Sequence, residues 1–515
     1  MAHSLQKQSA FIENSTRLSQ SCIWKRQAEF YKSVGVDAWK GTVPSRVTTS
    51  SQIAKTYARL IASYASDCDL DDLTIVELGA GHGRLGFLCA QHLLEMEKRG
   101  QLRPRQWTYV LTDIAPRNIE FWKQNESLKP LIASGHIDVA EFGTEDSGLH
   151  LQTRGQTISS NNRCPNIVAI GNYFFDSIPI DVFKVEQGEL YECESEIVVM
   201  PSSDDRSEDV VWNWHQKVVN GNAYEEVELQ QLVDYFKSRF DDGCFTIPSA
   251  GCRTLATICE WSENDILLLA ADKGYLRDEE FAGRSVPVPV PHGGCYSFSV
   301  NFAALRQWFQ NRDGLAMIPE RTDPRLQVTA FTTRPARDSD SLQQEFQRGV
   351  HDFGPGDCHQ IVRNRIQERG TNDLNDCLAT IQLAAQDDTI FYFLKDRIRS
   401  AVPHANEEQL HAVGQMLDIV LQRHFVWGTK DIPFAIAHIW QKMERFENAI
   451  RLFSRSLHLF GEHHATLCHL AECLNETGQS EQAAEFARRS LELRPQSQRS
   501  ARVMLAISAR QSISH

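Results

Sequence analysis

No Cys-x-x-Cys pair occurs among the 13 cysteines, so the ligand spacing of a structural zinc site is missing. Their odd number and their scatter point to reduced thiols in a cytoplasmic compartment and exclude a disulfide framework. No apolar run reaches the ~18 residues of a membrane span, and Met1 to Arg26 lacks the layout of a secretory signal. Long Lys/Arg runs are absent as well. With 53 basic against 67 acidic residues and a net charge of -14, broad adhesion to nucleic acid or to an anionic membrane is excluded, although a local basic pocket is not.

What is there is a chain of 515 residues, 42% hydrophobic and 23% charged, which is globular composition for two or three domains at about 150 residues each. A polar tail spans 1–23. From 24 to 200, apolar β-branched runs alternate with helical patterns, the βαβ signature of a parallel, Rossmann-like sheet. Residues 201–334 mix helix and strand patterns as an α+β elaboration that supplies the remaining strands, 335–374 read as a linker, and 375–515 are all helical. Shifted by 34 residues, the helical part falls on itself, with Ala437 on Ala471, Ala449 on Ala483, Ser456 on Ser490 and Leu457 on Leu491. That period and those small residues are those of tetratricopeptide-like repeats, which dock a protein or peptide partner. Cys468 and Cys473 fall on different faces of one helix as small core residues.

The sharpest local signal runs from Leu73 to Gly86. An apolar β run, Thr74 to Leu78, with the acid Glu77 at its close, meets Gly79, Gly81 and Gly83 at alternate positions, and a helical pattern follows. Glycines let a backbone turn at positive φ and approach a ligand, and the helix start offers unpaired N–H groups. The register Gly81-x-Gly83-x-x-Gly86 also satisfies a dinucleotide fingerprint, but that motif wants its first glycine directly after the strand. Asp113 ends the next strand run, where a carboxylate can hold ribose hydroxyls or cap the helix that starts near Pro116. Asn172, Tyr173 and Asp176 follow the fourth apolar run, beside the ligand crevice of an open sheet. His82, at a helix start, is expected to face solvent.

Glu77-x-Gly79-x-Gly81-x-Gly83 resembles motif I of class I S-adenosylmethionine-dependent methyltransferases. Three further blocks, Asn172 to Pro179, Ile266 to Gly274 and Asn301 to Leu305, are similar in order and spacing to the MidA-like methyltransferases. The resemblance implies S-adenosylmethionine as cofactor, bound through Glu77, Gly79, Gly81, Gly83, Asp113 and an adenine contact at Glu141. It implies methyl transfer to a protein side chain of arginine type. Such an in-line displacement needs alignment and a deprotonated acceptor, which makes Asp176 the general base or acceptor-orienting carboxylate, Asn172 a positioner and Tyr173 an aromatic wall or proton relay; the histidines lack ligand spacing, so no metal is expected. This chain departs from the family at Tyr173, where the family has Glu, and at Lys273, where it has Tyr. A scaffold that keeps the fold without the chemistry, and a nicotinamide-dependent oxidoreductase, remain the alternatives.

Overall fold

Runs such as Ile167–Ile170 and Ile266–Ala271 are apolar at every position because both faces of their strands are covered. A computed structural model describes residues 11–41, 43, 47–200, 209–321, 326–333, 340–368 and 373–513. The chain divides into two compact units, Met1–Thr49 with Ile53–Gly356, and Ser50–Gln52 with Asp357–His515.

The first unit is α/β. Among the described residues its main sheet has seven strands: β1 (Asp72–Glu77), β2 (Gln106–Asp113), β3 (Ile137–Glu141), β4 (Ile167–Asn172), β5 (Ile266–Asp272), β6 (Leu315–Met317) and β7 (Gln327–Thr332), in the spatial order β6-β7-β5-β4-β1-β2-β3. The strands β1 to β5 pair in parallel, and β7 runs antiparallel to both β5 and β6. From β1 the order grows towards β2 on one side and towards β4 on the other, so the crevice beyond its carboxyl end is the topological switch point where open α/β sheets hold ligands. Helices α1 (Cys22–Val34), α2 (Ser51–Asp67), α3 (Arg84–Lys98) and α4 (Pro116–Gln124) precede or connect these strands.

Among the described residues a second sheet has five strands, Phe11–Thr16, Asp181–Glu186, Glu189–Met200, Asp209–Val218 and Asp242–Ile247. It corrects the polar tail of 1–23. Phe11–Thr16 pairs antiparallel with Glu189–Met200, and Ser21 caps α1 by accepting from the Ile23 N–H. Edge strands are held by backbone hydrogen bonds, so polar side chains do not prevent one. Positions 1–10 of that tail lie outside the described residues, as do the boundary at 200/201 on its C-terminal side and that at 334/335.

The linker of 335–374 is also revised. Within it lie the helices Asp340–Phe346 and Pro355–Gln367, the second starting on a proline, whose fixed φ and missing N–H suit a first helical position. Among the described residues no helix is long and apolar enough to cross a membrane.

The second unit is all helical. Ile432–Lys442 packs on Phe446–Phe460, and His464–Glu476 on Ser480–Leu493, as two hairpins followed by Gln498–Ile513. The pairs at offset 34 stand at matching places: Ala437 and Ala471 are fully buried in the first helices, Ala449 and Ala483 in the second. Cys468 and Cys473 are buried in one helix. The hairpin turns match too, with positive φ at Glu444 (58°) and Gly478 (80°). A left-handed non-glycine residue costs roughly 1–2 kcal/mol, partly offset by the entropy a glycine loses. Glu444→Gly should therefore raise stability by about 0.5–1 kcal/mol in urea unfolding; a loss of that size would contradict the strain.

Candidate functional site

The glycine turn is built by its neighbours. Gly79, Gly81 and Gly83 have φ of 65°, 59° and 82°. A Cβ on Gly81 would stand 2.8 Å from Cζ2 of Trp39, and one on Gly83 2.8 Å from Nε1 of Trp122. The Trp122 indole N–H also donates to the Gly81 carbonyl at 3.2 Å. Asp113 at the end of β2 fastens the turn: Oδ2 accepts from the Gly81 N–H at 3.0 Å and Oδ1 from the Ala115 N–H at 2.9 Å. Burial pushes this carboxyl up to about 6.

The turn opens into a cavity of about 860 Å³, the size of a small-molecule site. Of the residues expected at a cofactor, Glu77, Gly79, Gly81, Asp113 and Glu141 line it, and Gly83 does not, being the cap of α3 packed on Trp122. Glu77 is occupied below the turn: its Oε2 accepts from the Tyr109 hydroxyl at 2.9 Å, and burial raises the carboxyl to about 8. Glu141 is exposed at the cavity wall next to the buried Phe142. His82 does not face solvent. It is 2% exposed, lines the cavity with its ring edge-on to Trp39, and is held neutral by burial and by Arg84, its pKa lowered to about 3.

Asn172, Tyr173 and Asp176 all line the same cavity. Asn172 has both polar atoms engaged, accepting from the Tyr57 hydroxyl at 2.6 Å and donating to the Thr48 carbonyl at 3.0 Å. It clamps the segment around Thr48. Tyr173 holds a left-handed φ of 49°, a strained conformation of the kind concentrated at functional sites. Asp176 adjoins Asp272, the last residue of β5. The Asp176 N–H donates to Asp272 Oδ2 at 3.1 Å, and Asp272 Oδ1 accepts from the Lys273 N–H at 2.9 Å. Burial raises both carboxyls, Asp176 to about 7 despite the opposing charge of Lys273. Two buried carboxyls this close hold one proton between them near neutral pH.

Asp272, Lys273, His292, Cys295, Tyr31 and Trp39 were not identified as site residues from the sequence. Asp272 and Lys273 were legible by the rule that selected Asn172, since they end and follow a parallel strand. The others join the site through contacts between distant segments. The Tyr31 hydroxyl donates to Cys295 Sγ at 3.3 Å across 264 residues, and its ring stacks on Trp39 at 5.8 Å. Burial raises the Cys295 thiol to about 11, so it stays protonated.

No protein-family model matches the chain, and no curated protein matches it. Two solved structures from Burkholderia thailandensis are similar to it. One, described as a "likely methyl transferase" bound to S-adenosyl-homocysteine, is 16% identical, with 58% of this chain and 80% of that one covered and a TM-score of 0.37. The other, an uncharacterized protein of the same superfamily, is 15% identical over 65% of this chain and 91% of its own, with a TM-score of 0.41.

Proposed function

We propose that this chain is an S-adenosylmethionine-dependent methyltransferase whose second, helical unit recruits a protein partner. The observation that carries it is one cavity at the switch point, with the Asp113-fastened glycine turn at one end and Asp176, backed by the buried Asp272, at the other. The donor set fits the cofactor. Gly79 and Gly81 leave backbone bare at the turn, Asp113 suits a ribose, and Glu141 beside Phe142 offers an acceptor and an apolar wall for a purine.

When bound, the cofactor supplies an electrophilic methyl group on a sulfonium. The protein's part is alignment, exclusion of water and removal of the acceptor's proton. Asp176, poised near neutrality by burial, takes that proton as general base, and its pairing with Asp272 keeps it oriented. Asn172 acts through Tyr57 and Thr48, as a positioning residue. A scaffold that binds the cofactor without transfer is the second reading, favoured by that engagement of Asn172 and by Tyr173.

Calorimetric unfolding of the full chain tests this. S-adenosylmethionine at ~100 times its Kd should add ~2.7 kcal/mol of stability, NAD should add none, and Gly81→Arg should abolish the gain. A labelled methyl group reaching protein in a lysate separates enzyme from scaffold; stabilisation by NAD alone would overturn both.

A further inference from the structure

The chain is acidic overall, yet the acceptor end of the cavity is not. Lys273 lines the cavity directly after β5, and its positive charge bears on both Asp176 and His292. Among the described residues its ammonium has no ion-pair or hydrogen-bond partner. Two adjoining buried carboxyls carry one negative charge at most near neutral pH, so the Asp176–Asp272 pair offsets Lys273 alone and leaves any further lysine of this end unbalanced. Lys25 and Lys32 on α1 line the same cavity and are exposed. The lining acids Glu141, Glu145 and Asp146 belong to β3 and the segment after it, at the glycine-turn end.

A half-buried ammonium with no hydrogen-bond partner of its own is a binding group awaiting one, since a charge-assisted hydrogen bond in a partly desolvated site is worth about twice a neutral one. A guanidinium or ammonium acceptor placed there would meet Lys273 as a like charge, and His292, neutral and bonded to Ser297 through Nε2 at 2.9 Å, brings no negative charge to offset it.

We propose that the methyl acceptor bears a carboxylate and that Lys273 is the residue that holds it. This rests on the methyl-transfer reading for the word acceptor, but the carboxylate site stands on the cavity itself. The carboxylate comes either from a free acid or from an acidic side chain on a protein, and the two share this chemistry.

The test is isothermal titration of the full chain, with and without S-adenosylhomocysteine. The probes are 3-phenylpropionate, a blocked tetrapeptide Ala-Glu-Phe-Ala, and their cationic counterparts phenethylamine and Ala-Arg-Phe-Ala. One of the two acids should bind, and which one does identifies the source. Lys273→Met should weaken it at least ~10-fold, as loss of a charged hydrogen bond does, and Lys273→Arg should stay within about threefold of wild type. Thermal unfolding of both variants verifies that they fold. Neither acid binding, equal binding by Lys273→Met, or tighter binding of a cationic counterpart would overturn the proposal. Lys273-dependent binding of an acid by a chain that ignores S-adenosylhomocysteine would uphold the site and remove the methyl-transfer reading. Binding of S-adenosylhomocysteine with no acid bound would do the reverse.

Discussion

Gly86→Val is expected to cost the α/β unit roughly 3–5 kcal/mol, a large share of the ~5–15 kcal/mol that holds a domain folded. Gly86 lies in the first turn of α3, where the helix is pressed onto β1 and β2. A Cβ there would stand 2.4 Å from Leu111 Cδ2, 2.6 Å from Tyr109 Cε1 and 2.8 Å from Glu77 Oε2. All three belong to fully or almost fully buried residues, so none can swing into solvent. Overpacking a core costs typically 1–3 kcal/mol by itself. The displaced atoms also carry the Tyr109–Glu77 hydrogen bond, whose loss leaves a buried carboxyl short of a donor at a further ~1–3 kcal/mol. Urea unfolding followed by tryptophan fluorescence gives the number, and a loss below about 1 kcal/mol would show that helix and sheet part easily here.

The same contact shows what the sequence could and could not carry. Strand, glycine turn and helix were legible because β-branched runs, alternating glycines and a helical period are local patterns, and β1 to β5 fall where those patterns lie. That Glu77 closes β1 was legible too. That its carboxyl turns beneath α3 to meet Tyr109, 32 residues away, was not, because nothing near Glu77 announces the partner. His82 departs from its local pattern for the same reason. A histidine at a helix start faces solvent unless something covers it, and Trp39, from a separate segment, does so. The strand Phe11–Thr16 escaped because an edge strand is specified by the backbone of its neighbour rather than by its own apolar pattern. The helix from Pro355 escaped because Gly-Pro-Gly reads as a breaker, although a proline ends the helix on its N-terminal side and can start a new one on its C-terminal side.

The two units should respond to pH in opposite directions. In the α/β unit, burial raises Glu77 to about 8, Asp176 to about 7 and Asp113 to about 6, from ordinary values of 4.5 and 3.8. Folded pKa values above the unfolded ones mean that the folded unit binds more protons. Its stability from these groups is full below about pH 4 and is lost as pH rises to about 8. In the helical unit, His438 and His469 face each other with ring centroids 4.3 Å apart. Burial lowers His438 to about 4 and His469 to about 2 from 6.5, helped by Arg399, Arg499 and Lys442, with Glu472 opposing at His438. Here the folded values lie below the unfolded ones, so the contribution is present above pH 6.5 and is lost as pH falls through 4. At 1.36 kcal/mol per unit, each trend amounts to roughly 3 kcal/mol or more. Hydrogen exchange of the full chain, corrected for intrinsic rates and read peptide by peptide, should show protection of β1 to β5 falling from pH 5 to pH 8. Protection of the helices from Ile432 to Leu493 should fall instead from pH 6.5 to pH 4.5. Glu77→Gln should about halve the first trend without touching the second, and His469→Gln should do the converse, because each substitution removes one titrating group while keeping an acceptor for its neighbour. Parallel trends in the two units would mean that the buried carboxyls beneath the glycine turn are solvated, and that Asp176 is an ordinary surface acid rather than a base poised near neutrality.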